Sequence, residues 1–196
     1  MNTLNVIDLE NYSPTKHTIG IVGANLFSIL LLATIAVPIL LLFAAIAGLS
    51  ITDVLKGMER MGLLESIVLL ALIIAGIFAH ELLHAVFFSR YAKNGWKAIS
   101  FGILKKYLSP YCHCSDPVLL PHYILAALAP TVVLGCVPII LAIALLNSHL
   151  LLFGLIFVTA GTGDILLVVP LLREARDCYI LDLEDEAGYL IYRRTT

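Results

Sequence analysis

The sequence predicts an all-α, multi-pass membrane protein with four transmembrane helices and short β-hairpin-like segments outside the membrane. Hydrophobic residues make up 60% of the 196 residues and charged residues only 13%. A soluble domain is about half apolar and about a quarter charged. Uncharged apolar runs recur along the chain, and each is near the roughly 20 residues that cross a bilayer. Lys and Arg are concentrated in alternate connecting segments, as in multi-pass proteins.

The four expected spans are uncharged runs at about 20–49, 66–88, 123–146 and 150–171. The first contains Pro38, which favours a kink. The last two are separated only by Asn147-Ser148-His149, so we expect them to form an antiparallel helical hairpin. This divides the chain into an N-terminal segment (1–19), a membrane domain (20–172) and a tail (173–196). No cleavable signal peptide is expected, because residues 1–19 are polar and the next apolar run exceeds a signal core.

The distribution of basic residues predicts the orientation. Ten of the 12 Lys and Arg residues lie in the N-terminal segment, in the 89–121 region and in the tail, whereas Lys56 and Arg60 lie between the first two spans. Cytoplasmic loops carry the excess of Lys and Arg. Both termini and the 89–121 loop are therefore expected in the cytoplasm, where thiols stay reduced. The four cysteines show no disulfide framework, and this topology puts three of them on or near the cytoplasmic side.

Two segments outside the spans have strand-like patterns. In the 89–121 loop, KAISFGIL and YLSPYCHC flank Lys105-Lys106. In the tail, CYILDLEDEAGYLIYRR consists of two apolar runs around an acidic turn that contains Gly188. Alternating runs bounded by such turn residues are typical of short antiparallel strands.

Four ionisable side chains lie inside the expected spans: His80, Glu81, His84 and Asp164. A charged group there costs roughly 2.5–3.5 kcal/mol on insertion scales, so these residues need a compensating role. In HELLH the two histidines are four residues apart, share a helix face and can bind one ion. Glu81 is about 100° around the helix from His80, where a general base can take a proton from the attacking water.

The third ligand is less obvious. A catalytic zinc takes three protein ligands and keeps one position open. No Glu occurs between residues 82 and 173, and Asp116 falls in a loop. Counted from the nearest Arg, Asp164 lies about 13–14 Å inside the fourth span, and His80 and His84 lie about 15 and 9 Å inside the second. Because these depths match, we expect His80, His84 and Asp164 to hold the metal.

Simpler interpretations of these residues remain open. Asp164 could hydrogen bond to Thr159 or Thr162, and the glycines before it could serve packing alone. Cys112-His113-Cys114 could form a second metal or redox site, although a bare C-H-C is a weak signal and ordinary loop residues fit it too.

Several motifs resemble a known family. HELLH in a span, followed two spans later by an Asp in GTGDI, resembles the site-2 protease group of intramembrane metalloproteases. More closely, the chain resembles the small prokaryotic membrane proteins called putative zincin peptidases. The motifs that carry this are HELLHA at 80–85, YCHCSDP at 111–117, ALAP at 127–130, GTGD at 161–164 and AGYLIY at 187–192. The resemblance covers about residues 66–192.

The resemblance implies a site-2-protease-like core of three helices, with one Zn²⁺ held by His80, His84 and Asp164 and with Glu81 as the catalytic base. Site-2 proteases carry Asp-Gly and Asn-Pro where this chain has Asp164-Ile165 and Ala129-Pro130. The oxyanion stabiliser is therefore left unassigned.

The expected function is that of a zinc-dependent intramembrane endopeptidase in the cell membrane, with its active site toward the cytoplasm. It would hydrolyse a peptide bond in or near a transmembrane segment of a membrane-protein or peptide substrate. Membrane lipid is the other expected partner, and no nucleic acid is expected. The alternatives are a non-proteolytic metal-binding protein (a transporter, a sensor or an accessory subunit) and a b-type haem protein with His80 or His84 as axial ligand.

Overall fold

A computed structural model describes residues 11–104, 109–184 and 186–195 of the chain. Its helices are α1 (Ile21–Ala47), α2 (Ile51–Glu59), α3 (Leu63–Tyr91), α4 (Leu120–Pro130), α5 (Val137–Leu145), α6 (Ser148–Ala160) and α7 (Thr162–Leu171). A 3₁₀ turn covers Gly95–Ala98, and a π-helical segment, Thr131–Cys136, joins α4 to α5. The strands are β1 (Tyr12–Thr18), β2 (Ile99–Leu104), β3 (Ser109–Cys114), β4 (Val118–Leu119), β5 (Tyr179–Asp182) and β6 (Gly188–Arg194).

The helix ends follow local sequence signals. Ser50 caps α2 by accepting a hydrogen bond from the Asp53 amide at 3.2 Å. The Glu65 carboxylate accepts the Gly62 amide at 2.9 Å at the start of α3. Asn147 accepts the Leu150 amide at 2.9 Å at the start of α6. Short polar side chains at these positions satisfy amides that have no partner within the helix.

In the described part of the chain, six strands form two antiparallel sheets. One has four strands in the order β1-β6-β5-β4, and the other is the β2-β3 hairpin. The pairing of β1 with β6 joins the two ends of the chain, since Tyr12 faces Arg194 and Thr18 faces Gly188. The short β4 pairs with β5 through Val118 and Ile180. The N-terminal segment, the central loop and the tail are therefore parts of one sheet.

The chain divides into two compact units. The first, which we call the sheet unit, comprises 1–20, 81–129 and 164–196 and has a core in which helical and strand residues pack together. Phe88, Tyr123 and Tyr189 are among its largest buried side chains, at 2–4% exposure. This core joins α4 and the four-stranded sheet to the part of α3 that follows His80.

The second, which we call the helical unit, comprises 21–80 and 130–163. Its core is aliphatic and aromatic, with Phe43, Val54 and Leu151 all at 1% exposure or less. Most of its other large apolar side chains are exposed, as they are on helices that face lipid. Close packing depends on small residues: a methyl group at Gly76 would overlap the Phe157 ring.

The predicted all-α class with four transmembrane helices is wrong. The structure contains two antiparallel sheets, and only three of the described helices are each long and apolar enough to cross a membrane: Leu26–Ala47, Leu63–Tyr91 and Leu120–Leu145. The expected fourth span consists of two helices, α6 and α7, with a bend of 49° between them. They are long and apolar enough to cross a membrane only if they are taken together as one span. The break follows from Gly161, a poor helix residue, which ends α6. Pairing of β1 with β6 was missed because partners about 180 residues apart leave no local pattern.

The strand patterns of the loop and the tail are confirmed. The two loop segments form β2 and β3, which pair from Ile99–Cys114 to Leu104–Ser109, and the tail forms β5 and β6. The turn residues Lys105 and Lys106 lie outside the described residues. The short helix α2 was not predicted.

Gly154 and Gly163 offer a matched test of helix packing in this fold. A Cβ at Gly154 would lie 2.9 Å from the Gly135 carbonyl oxygen and 3.0 Å from the Ile139 nitrogen, whereas one at Gly163 would meet nothing within 4 Å. Because backbone atoms cannot move aside, we expect Gly154→Ala to destabilise the protein by roughly 1–3 kcal/mol. Gly163→Ala should be neutral or stabilising by up to about 1 kcal/mol. Unfolding in detergent micelles measures both, and equal effects would contradict this packing.

Candidate metal centre

The structure brings His80, His84 and Asp164 together. The ligand atoms of these three residues all lie within 4.8 Å of one another. Nε2 of His84 is 3.4 Å from Oδ1 of Asp164, and the two histidines are only 9% and 7% exposed. Among residues 11–104, 109–184 and 186–195, no other group of three His, Cys, Asp or Glu residues lies close enough to hold an ion.

The donor set and its spacing fit a zinc ion. Bonds of about 2.1 Å in a tetrahedral site place neighbouring ligand atoms about 3.4 Å apart. The measured separation of His84 Nε2 and Asp164 Oδ1 equals that spacing. Two imidazoles and a carboxylate are a ligand set of catalytic zinc, which leaves a fourth position for a reactant.

The ring of His84 is oriented by a backbone carbonyl of α4. Nδ1 of His84 lies 3.0 Å from the oxygen of Ala126. If this nitrogen donates its proton there, Nε2 keeps its lone pair for a metal, which is the usual arrangement of a ligating histidine. Pro130, four residues after Ala126, has no N–H to donate to that carbonyl. The proline of ALAP thus makes the Ala126 oxygen available to the histidine.

Asp164 lies in the first turn of α7, directly after the break at Gly161. A carboxylate at a helix N-terminus interacts favourably with the helix dipole. Its neighbouring threonines are engaged with the backbone: Thr159 Oγ1 donates to the Leu155 carbonyl at 2.8 Å and Thr162 Oγ1 to the Thr159 carbonyl at 2.6 Å. These bonds disfavour the simpler interpretation that Asp164 exists to bond a threonine.

Glu81 is half-buried and follows His80 on α3. Its charge acts on Cys112 of β3: burial is the main cause that raises the pKa of the Cys112 thiol, and Glu81 adds to it. Because Glu81 directly follows His80 in the chain and is only partly buried, its carboxylate flanks the ligand pair.

The structure disfavours a second metal site at Cys112-His113-Cys114. All three residues lie in β3, where successive side chains point to opposite faces, so His113 points away from the two cysteines. Cys112, His113 and Cys114 also do not form a group of close ligand atoms among the residues that the structure describes. Asp116, the other candidate acid, braces a loop instead: its Oδ2 accepts the Asn94 amide at 2.7 Å and its Oδ1 the Asn94 side chain at 2.9 Å.

A buried pair next to the centre was missed by sequence reasoning. The Tyr123 hydroxyl donates to Oδ1 of Asp182 at 2.7 Å, and the Cys114 amide approaches Oδ2 at 3.4 Å. Burial raises the pKa of Asp182, and the bond from Tyr123 opposes this rise. Tyr123 lies one turn before Ala126 on α4, so Asp182 at the end of β5 fixes the helix that meets His84. No local pattern in the tail distinguishes Asp182 from the surface acids that follow it.

The remaining histidines are not close to the centre in the described contacts. His122 stacks on Tyr91 with ring centroids 4.1 Å apart. His17 stacks on Tyr189 at 5.1 Å. His149 lies in the first turn of α6, in the helical unit.

Comparison with known families gives one result. The family model described as "Putative zincin peptidase" matches residues 73–179, which is more than half of the chain and includes HELLH, ALAP and GTGD. Neither the curated proteins nor the solved structures yield a significant match.

The Tyr123–Asp182 bond should contribute measurably to stability. Tyr123→Phe leaves a buried carboxylate oxygen without its donor, which costs about 1–3 kcal/mol. A double-mutant cycle with Asp182→Ala should give a coupling energy of about 1–3 kcal/mol from unfolding in detergent. Tyr192→Phe is the matched control on β6, since no hydrogen bond to its hydroxyl occurs among the described residues. Additive effects of Tyr123→Phe and Asp182→Ala would refute the pairing.

Proposed function

Since the chain belongs to the Putative zincin peptidase family, we propose that it is a zinc-dependent endopeptidase that cleaves membrane-protein substrates in or near a transmembrane segment. Family membership indicates a metallopeptidase. The finer proposal is supported by the proximity of His80, His84 and Asp164. The two histidines and Glu81 lie on α3, an apolar helix that is long enough to cross a membrane.

His80, His84 and Asp164 are the proposed zinc ligands. The carboxylate offsets part of the charge of the ion, which lowers the cost of placing it in an apolar environment. When bound there, zinc supplies Lewis acidity toward water and toward the oxygen of a peptide carbonyl. Ala126 holds the His84 ring in orientation through Nδ1, and the Tyr123–Asp182 bond holds α4.

Glu81 is the proposed general base and acid. It follows His80 directly, so its carboxylate flanks the ligand pair without sharing their helix face. It would take a proton from the water that attacks the peptide carbonyl carbon. It would then deliver this proton to the amine nitrogen as the carbon–nitrogen bond breaks. The role requires a carboxylate accessible to water, and Glu81 is half-buried.

We further propose that both termini and the 89–121 loop are cytoplasmic, with the centre nearer that side. Pairing of β1 with β6 and of β4 with β5 supports a common side for all three segments, since one sheet cannot lie on two faces of a bilayer. The basic residues of these segments favour the cytoplasm. Reporter fusions at the C-terminus and within the α1–α2 connection test this, and a C-terminal reporter active only outside the cell would exclude it.

Replacement of Glu81 should separate catalysis from metal binding. Glu81→Gln keeps the size of the side chain but cannot accept a proton, so cleavage should fall by about 10²–10⁴-fold. Its zinc content should stay unchanged. The assay is cleavage of a reconstituted transmembrane substrate by purified protein, with zinc measured by mass spectrometry.

Glu59→Gln on α2 is the matched control and should cleave at the wild-type rate. A Glu81→Gln variant that cleaves normally would eliminate the proposed base. A wild-type protein that binds zinc and cleaves no peptide substrate would favour the non-proteolytic metal-binding alternative.

Replacement of the ligands should remove the ion. We expect about one zinc per chain in the wild type and a large loss in His84→Ala and Asp164→Asn, because two ligands hold zinc far more weakly than three. His122→Phe is the control, since it keeps a ring against Tyr91 but removes both ring nitrogens. Full zinc content in Asp164→Asn would exclude that residue as a ligand. A Soret absorbance band would identify the haem alternative.

A further inference from the structure

A large groove lies within the helical unit, away from the metal centre. Its volume is about 620 Å³, within the range of small-molecule sites. The first turns of α3 form one wall and the start of α6 forms the other. The wall residues that matter here are Val68, Leu69, Leu72, Leu150 and Phe153. The groove therefore offers mainly apolar surface.

The polar residues of the groove are all at one end. Glu65 lies near the start of α3, and Asn147 and His149 lie at the start of α6. On both walls the apolar residues come later along the helix, with Leu72 about 10 Å beyond Glu65 at 1.5 Å per residue. Both walls thus change from polar to apolar in the same direction. This is the polarity of an amphiphile that stands in a membrane leaflet.

Two side chains at the polar end of the groove, His149 and Glu65, can interact with a ligand. Nε2 of His149 is buried and has no hydrogen-bond partner among the residues that the structure describes. Such an orphaned atom costs about 1–3 kcal/mol unless something pairs with it. The Glu65 carboxylate is held in place by the Gly62 amide at 2.9 Å and presents negative charge at the rim. Asn147 is engaged in capping α6.

We propose that this groove binds a membrane phospholipid whose headgroup carries a primary ammonium. The ammonium lies against the exposed Glu65 carboxylate at the rim, because it carries the opposite charge and can donate hydrogen bonds to it. The His149 ring lines the same end of the groove and rotates on binding so that Nε2 meets the headgroup, while one acyl chain lies along Val68, Leu69, Leu72 and Phe153. A lipid with a quaternary ammonium has the same charge but no N–H to donate, so it binds less well.

The groove is distinct from the proposed catalytic centre. Its innermost residue on α3, Leu72, precedes His80 by eight residues, which is about 12 Å along the helix. Lipid binding is therefore testable without metal or substrate and does not depend on the proposed protease function.

Tryptophan quenching tests the lipid directly. Trp96 is the one tryptophan of the chain, so Trp96→Phe combined with Phe153→Trp places a single tryptophan on the groove wall. The protein is reconstituted in phosphatidylcholine vesicles that contain either phosphatidylethanolamine or phosphatidylcholine with brominated acyl chains. We expect brominated phosphatidylethanolamine to bind about fivefold more tightly, because its ammonium donates a charge-assisted hydrogen bond to the Glu65 carboxylate.

Variants assign the headgroup contacts. Glu65→Gln preserves the cap on Gly62 and removes the charge. The ratio of the affinities for phosphatidylethanolamine and phosphatidylcholine should therefore fall toward one. His149→Phe keeps the ring volume and should also reduce it. Glu59→Gln on α2, outside the groove, should keep the full preference.

Equal quenching by the two brominated lipids, or an unchanged preference in Glu65→Gln, would overturn the proposal. Relief of quenching by an added transmembrane peptide, without preference among lipids, would show a polypeptide occupant and would equally overturn it. The unaltered chain gives a second measurement: phosphatidylethanolamine retained through mild detergent purification should be enriched over its share of the membrane. Glu65→Gln should lose that enrichment, and its retention would count against the proposal.

Discussion

The orientation of the His84 ring is the constraint on which the centre depends. One ring nitrogen faces the Ala126 carbonyl at 3.0 Å and the other faces the Asp164 carboxylate at 3.4 Å. If Nδ1 donates its proton to the Ala126 carbonyl, Nε2 keeps a lone pair directed toward the position where an ion held together with Asp164 would lie. Three segments that are distant in sequence must therefore be held in register to within a few tenths of an ångström. The packing and hydrogen bonds of the sheet unit help to hold these segments in position.

Two helix irregularities supply the groups that face this ring. Pro130 removes the N–H that a regular helix would direct at the Ala126 carbonyl, and a π-helical segment follows it. Gly161 ends α6, so that Asp164 falls in the first turn of a new helix. In a regular helix the Ala126 oxygen would be paired within α4, and Asp164 would lie in a helix interior without the favourable N-terminal dipole. Each irregularity thus allows one polar group of an apolar helix to face the His84 ring.

Within the sheet unit, the four-stranded sheet packs against α3, α4 and α7. Its strands come from the N-terminal segment, the central loop and the tail. The Tyr123–Asp182 bond connects the end of β5 to α4 one turn from Ala126, and the core around Phe88 and Tyr189 joins α3 to the same sheet. A small chain with few buried polar groups has little else to fix helix positions, since apolar packing in a bilayer gives weak orientational preference.

The sequence alone determined the residues of the centre, because helical periodicity is local. HELLH places two histidines on one face at any helix position, and both the matching depth and the resemblance carried by GTGD indicated Asp164. The strands of the loop and the tail were also readable, since alternation and turn residues are local signals. Tertiary structure alone decided the rest. The all-α, four-helix prediction was wrong because β1–β6 and β4–β5 pairing joins distant segments and because α6 and α7 bend at Gly161. Asp182 could not be recognised, since only the β4–β5 register brings its carboxylate to Tyr123, and no residue near it in the chain encodes that register.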